Sequence, residues 1–194
     1  MGNRLLFVPI VVALLLGALA LRQSRSHAQD PLRASAACGI DVARWPSELG
    51  LNRTRELTLC LLNEQRARYG LAPLRSEVRL QLAAQRYVGD MVERRFFDHT
   101  DPGGLAPEDR ILMAGYPSNN AWTGENLAYG TGPEGAPSEI VDRWMHSPGH
   151  KENILRAPFT EIGIGIAFDV PKEEPAGTDP GATYATSFGG PPTP

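Results

Sequence analysis

The chain has 194 residues, with 19 Lys and Arg against 22 Asp and Glu and a formal charge of −3. That balance, with no basic block, argues against nucleic acid as a partner and gives no electrostatic attraction to anionic membranes. The length suits one domain able to bury a core.

Residues 1–28 read as a secretory signal. Arg4 precedes an unbroken apolar run from Leu5 to Leu21, and cleavage is expected after Ala28 in "SHA", with Ala20 in "ALA" as the rival. The alternative is an uncleaved anchor, the one membrane attachment the sequence offers. The run is slightly short of the ~20 apolar residues a spanning helix needs, and it holds Pro9 and Gly17. Arg22 and Arg25 just after the run argue against cleavage. Removing the segment takes away Arg4, Arg22 and Arg25 and no acid, so the formal charge moves from −3 to −6.

Residues 29–53 form a lead-in, Ala- and Ser-rich and then "CGIDVARWPSELGLN". In an exported protein the isolated pair Cys38 and Cys60 most simply forms one disulfide, which would pin this lead-in to the first helix. Two free thiols, with Cys60 merely packed, are the other reading. The first helix is expected over 54–70, capped by Thr54 and ended by Gly70, with Leu57, Cys60 and Leu61 inward. A second is expected over 76–95, capped by Ser76, with a core stripe of Leu80, Ala83, Ala84, Tyr87 and Met91.

After "FFDHTDPGG" comes a short helix in "PEDRILMAG", ending at Gly115. "ENLAYG" is a candidate strand. "GTGPEG" fits a dinucleotide-binding spacing, but Pro133 removes an N–H where phosphate would need one, so a glycine-rich surface loop is the better reading. "PSEIVDRWM" is a helix with Ser138 near its cap. Two strands follow, "EIGIGIAFDV" and "ATYATSFGG", separated by a mobile hairpin loop over 171–182. Residues 191–194 form a tail without expected order. Helices first and strands late predict an α+β layer structure and not a βαβ repeat.

No G-x-S-x-G, H-E-x-x-H or C-x-x-C motif occurs. The remaining polar candidates are His99, Glu125 and His150, each beside glycines or an element boundary where binding groups are displayed. His146 and His150 stand four apart, which suggests a zinc pair on one helix face. Ser147-Pro148-Gly149 breaks that helix. Ser147 becomes an N-cap, Pro148 takes the first helical position, and His150 falls in the first turn, where the positive helix end favours neutral imidazole. His146 at a helix C-terminus reads as a solvated cation. Taken singly, His99 reads equally well as a turn residue and Glu125 as a surface acid.

Taken together and in order, "LLNEQRARYGLAPL", "FFDHTDPGG", "TGENLAYG", "RWMHSPGHKENIL" and "EIGIGIAF" resemble the CAP superfamily of cysteine-rich secretory, antigen five and pathogenesis-related proteins, in its bacterial SCP-domain branch. The resemblance spans residues 54–190. It implies a three-layer α-β-α sandwich with a small antiparallel sheet, and a central cleft holding His99, Glu125, Asn126, Ser147 and His150. The family's second acid, three residues past the tryptophan of this helix, is replaced here by Ser147. The resemblance also implies a weakly held divalent metal such as zinc on His99 and His150, completed by water and by Glu125, or else Glu125 orienting one histidine.

Two functions follow. One is a secreted binding module for a small apolar molecule, lipid, peptide or cell-wall glycan. The other is a metal-assisted extracellular hydrolase with Glu125 as general base. Ser147 as nucleophile with His150 is a thinner third option, since no orienting acid is evident.

Overall fold

A computed structural model describes residues 38–117, 121–173 and 179–190. The expected signal (1–28) and tail (191–194) lie outside these, as do most of the lead-in before Cys38 and part of the 171–182 loop. The elements in chain order are α1 (Pro46–Leu49), α2 (Leu51–Arg68), β1 (Arg75–Ser76), α3 (Val78–Glu93), α4 (Pro107–Met113), β2 (Trp122–Thr131), α5 (Pro137–His146), α6 (Pro148–Leu155), β3 (Glu161–Ala167) and β4 (Gly181–Gly190). One sheet runs in the order β1-β3-β4-β2. β2, β4 and β3 are antiparallel, as expected, and the two-residue β1, which the sequence reading omitted, adds a parallel edge to β3.

The alternation in "EIGIGIA" builds the three layers. Successive strand residues face opposite sides. Ile162, Ile164 and Ile166 face one side and pack with Leu57, Leu61 and Leu62 of α2, Trp144 of α5, Ile154 of α6, and Tyr184 and Phe188 of β4. Gly163 and Gly165 face the other, where α3 lies so close that a Cβ on either would collide with its backbone at Leu80, Gln81 or Ala84. Ala84, Tyr87, Val88 and Met91 of α3 then close over Leu127 and Ala185, while Leu80 and Ala83 meet Ile111 of α4. The α+β sandwich expected from the sequence is the fold observed.

Several boundaries move for local reasons. α2 starts at Leu51, so Thr54 is not its cap; it sits one turn in and its hydroxyl donates back to Gly50 O at 2.8 Å. Ser76 does not cap α3 because it pairs with Ile162. Glu77 takes the role, its carboxylate accepting from the N–H groups of Arg79 (2.7 Å) and Leu80 (2.9 Å). Pro137 opens α5 behind Ala136, so Ser138 is already helical. Gly132–Gly135 of "GTGPEG" form a single 3₁₀ turn after β2. Cys38 and Cys60 form the disulfide, closing a separation of 22 residues onto α2.

Candidate functional site

The site grows from the turn that follows α3. Arg95 adopts a left-handed conformation, φ 56°, which sends the chain back along the sheet. Tyr87 OH donates to Asp98 O at 2.5 Å, and Asp101 Oδ1 accepts from the N–H groups of Gly103 and Leu105, both at 2.8 Å. These Asx-type bonds hold the loop on which His99 is displayed. The loop then enters α4, where Asp109 accepts from Ala106 N–H at 3.0 Å.

Glu125 and Asn126 are neighbours on β2 and so point to opposite faces. Glu125 turns toward α3 and α4, and its side chain is only 3% exposed. One oxygen, Oε1, lies 2.8 Å from His99 Nδ1, and the other, Oε2, accepts from Arg110 Nη2 at 2.7 Å. Arg110 also donates to His99 O (2.9 Å) and Leu105 O (2.8 Å), and its guanidinium lies 3.3 Å from the centre of the Tyr87 ring. The carboxylate thus fixes the His99 proton on Nδ1 and leaves Nε2 directed elsewhere. It orients His99, the second of the two roles the family resemblance implied for it.

Asn126 faces the other side and ties down α6. Its amide donates to His150 O at 3.0 Å, while Asn153 donates to Asn126 Oδ1 (2.9 Å) and Glu125 O (3.1 Å). Gly124 makes room, since a Cβ there would press on Phe159 and Asn153. His150 stands in the first turn of α6, behind Pro148. Ser147 occupies the N-cap position, but its hydroxyl makes no capping bond, a correction to the role expected for it. Its backbone is extended there, and the hydroxyl lines a groove instead. That groove, about 550 Å³, runs beside β2 and is lined by Phe97, Tyr129, Thr131, Arg143, Ser147 and His150, among others.

The two histidines are poised oppositely. The bond to Glu125 raises the His99 pKa above the ordinary histidine value, against a smaller opposing effect of burial. Burial lowers that of His150, and the nearby charge of His99 lowers it further. Relative to an ordinary histidine, His99 is thus shifted toward the cation and His150 toward the neutral form. His146 takes no part: its side chain is 77% exposed and leans on Asp142 of its own helix, at 3.3 Å.

Among the described residues no group of three or more His, Cys, Asp or Glu side chains is placed to hold a metal ion. The three-ligand set of His99, Glu125 and His150 is not assembled; Glu125 bonds His99 and Arg110 instead. Two imidazoles remain as donors. Arg110, Tyr87 and Asn153 are the site residues that sequence reading missed. An Arg inside "PEDRILM" carried no signal of its own, and Asn153 stood unremarked three residues after His150.

A small sheet between two helical layers, with a histidine–glutamate pair on one face and a second histidine held from the other, defines an SCP-type domain. A family model described as the cysteine-rich secretory protein family, CAP, matches residues 59–173, more than half of the chain, and the chain belongs to that family. Its curated relatives are bacterial. It is 38% identical over 105 residues to the uncharacterized protein YkwD of Bacillus subtilis strain 168, covering 54% of this chain and 39% of YkwD. It is 30% identical over 110 residues to the uncharacterized membrane protein YlbC of the same strain, covering 56% of this chain and 30% of YlbC. The chain thus spans well under half the length of either. An outer surface protein of Borrelia burgdorferi shares the fold at TM-score 0.56 and 23% identity, over 71% of this chain and 92% of that one. An extracellular SCP-domain protein of Bacillus anthracis strain Ames does so at TM-score 0.54 and 21% identity, over 72% of this chain and 43% of that one.

Proposed function

We propose that this protein is a secreted module that binds a small ligand in the cleft of His99 and His150, and not a hydrolase driven by Glu125. What supports this reading is the state of Glu125. A general base needs a free lone pair aimed at the proton it takes. Here one oxygen is bonded to His99 and the other to the Arg110 cation, and with the side chain only 3% exposed the remaining lone pairs have little access to a substrate's proton. The two imidazoles are biased in opposite directions, His99 toward the cation and His150 toward the neutral form, a pairing that suits ligand recognition. Export is supported by the signal-like pattern of residues 1–28, by the disulfide, and by the extracellular and surface locations of the proteins that share the fold.

A divalent metal fits this site only weakly. Zinc would be held by His99 and His150 and would supply a Lewis acid with open positions. It would have to displace the proton that Glu125 stabilises on His99. Zinc titration by calorimetry tests this: His99→Ala and His150→Ala each weaken binding. Peptide, ester and cell-wall substrates assayed alongside, with wild type and Glu125→Ala, test the function. Metal-dependent turnover lost in Glu125→Ala would overturn the binding reading.

A further inference from the structure

The cleft reading does not name a ligand class, but the outer edge of β2 does. Among the described residues β2 is the last strand of the sheet, so one side of its backbone has no strand of these beside it. The antiparallel register decides which groups lie there. Thr160 N–H donates to Gly189 O at 3.0 Å, so the odd-numbered residues of β4 turn their polar groups toward β3 and the even-numbered ones toward β2. Glu125, Leu127 and Tyr129 pair with the odd residues Ser187, Ala185 and Thr183. Their N–H and C=O groups therefore point away from the sheet.

All three carbonyls are taken. Asn153 donates to Glu125 O (3.1 Å), Trp144 Nε1 to Leu127 O (3.0 Å) and Arg143 Nη1 to Tyr129 O (3.1 Å). The N–H groups of Leu127 and Tyr129 meet no acceptor among the described residues. Both residues line the groove that holds His150 and Ser147. Two residues apart on a strand, these donors are separated by ~7 Å. Backbone donors in such a place call for water or a ligand.

An edge with free donors and occupied acceptors is poorly suited to adding a peptide strand, because a strand brings N–H groups that need carbonyls of their own. It suits a ligand that presents oxygen acceptors. Charge then chooses among these. Glu134 shares the groove wall with Arg143, whose guanidinium is already bonded to Tyr129 O and Glu134 O. The Glu134 carboxylate offsets the Arg143 cation, so this wall offers no net charge for a carboxylate to pair with and suits a neutral carbonyl. Phe97, 37% exposed, meets Tyr129 edge-on with ring centres 4.9 Å apart. Together they form an aromatic flank on which a sugar ring can rest, with Lys172 Nζ on the Tyr129 ring 5.4 Å from its centre.

The geometry points to a neutral N-acylated saccharide as the occupant of this groove. Its acyl oxygens accept from Leu127 and Tyr129 N–H, its ring lies on the Phe97–Tyr129 flank, and its hydroxyls meet Ser147, Thr131 and Glu134. This rests on the ligand-binding reading of the cleft.

The test is an NMR titration of the ¹⁵N-labelled full chain with a β-linked N-acetylglucosamine oligomer. A glucose oligomer of the same length and linkage and an extended peptide serve as comparators. The acylated oligomer is expected to bind about tenfold more tightly than the glucose oligomer, the effect of two modest added hydrogen bonds. Binding is expected to slow hydrogen exchange at the Leu127 and Tyr129 amides. Tyr129→Ala, which removes the ring but keeps the N–H, weakens binding of both saccharides and keeps the acyl preference. Equal affinity for the two saccharides, unchanged exchange at both amides, or binding of the peptide alone overturns the proposal. The His99 and His150 ring signals separate the two readings. A comparator that shifts the rings without protecting the amides leaves the cleft reading intact and removes this one. Rings that respond to none of the three ligands count against both.

Discussion

Two arginines sit deep in this protein and do different work. Arg66 of α2 is fully buried. It spends its donors on backbone carbonyls: Ala72 (2.7 Å), Ile154 (2.8 Å), Arg156 (3.1 Å) and Phe159 (2.8 Å). No acid pairs with it among the described residues, and burial lowers its pKa. Its partners are fixed dipoles in the loop after α2, at the end of α6, where a helix terminus leaves carbonyls without intrahelical bonds, and in the turn before β3. Arg110 of α4, 11% exposed at its side chain, spends donors on Glu125 and on the loop that carries His99. The first cation holds a scaffold together. The second holds a titrating group in one orientation, so its effects should appear in ionisation as well as in stability.

Arg66→Met sharpens this contrast most. It strands several buried carbonyls at once and should lower unfolding free energy by about 3–5 kcal/mol, read from urea melts. The His99 titration should not move; a clear shift there would erase the distinction between the two arginines.

Arg110→Met should cost less, about 1–3 kcal/mol, because Glu125 keeps His99 as a partner and fewer carbonyls are stranded. Its signature is the His99 pKa, which should rise, since the Arg110 charge opposes protonation of His99 in the native protein. An unmoved ring titration by NMR would reduce Arg110 to a second scaffold residue.

Glu125→Gln tests the same pair by pH. The folded His99 pKa is raised, so its contribution to stability is complete below the unfolded value of about 6.5 and is lost as pH rises through the folded pKa. The gap between wild type and Glu125→Gln should therefore be wider near pH 5 than near pH 9, as read from urea midpoints. The His99 side chain is 52% exposed, so solvent screens the effect and the change should be small. His150 works in the other sense: with a lowered folded pKa it costs stability as pH falls below about 6.5. A gap independent of pH would show that Glu125 does not hold the proton on His99.

His146→Ala should do least. It should leave stability within about 0.5 kcal/mol, as for an ordinary surface position, and leave zinc binding unchanged. A loss equal to that of His150→Ala would restore the local histidine pair first suggested by the spacing.

Much of this was legible in the chain. The isoleucine–glycine alternation of "EIGIGIA", the α3 stripe from Leu80 to Met91, and Ser147-Pro148 ahead of His150 each encode local geometry through periodicity or a restricted backbone. Caps were less legible. Whether Ser76 or Glu77 opens α3 depended on a two-residue pairing with Ile162, contributed by a strand far along the chain. The role of Glu125 was not legible at all, because its chemistry depends on what occupies its two oxygens.

By itself the sequence determined an α+β layering, the elements that carry His99, Glu125 and His150, and the separation of His146 from the site, since strand alternation and helix breaking act between near neighbours; the α-β-α order of the layers came from the family resemblance. Only the tertiary structure decided that Arg110 closes over Glu125, that the two histidines are biased to opposite charge states, and that the β2 edge keeps its donors while losing its acceptors. Those depend on side chains from different elements meeting at hydrogen-bond distance, and no spacing along one strand or helix encodes such a meeting.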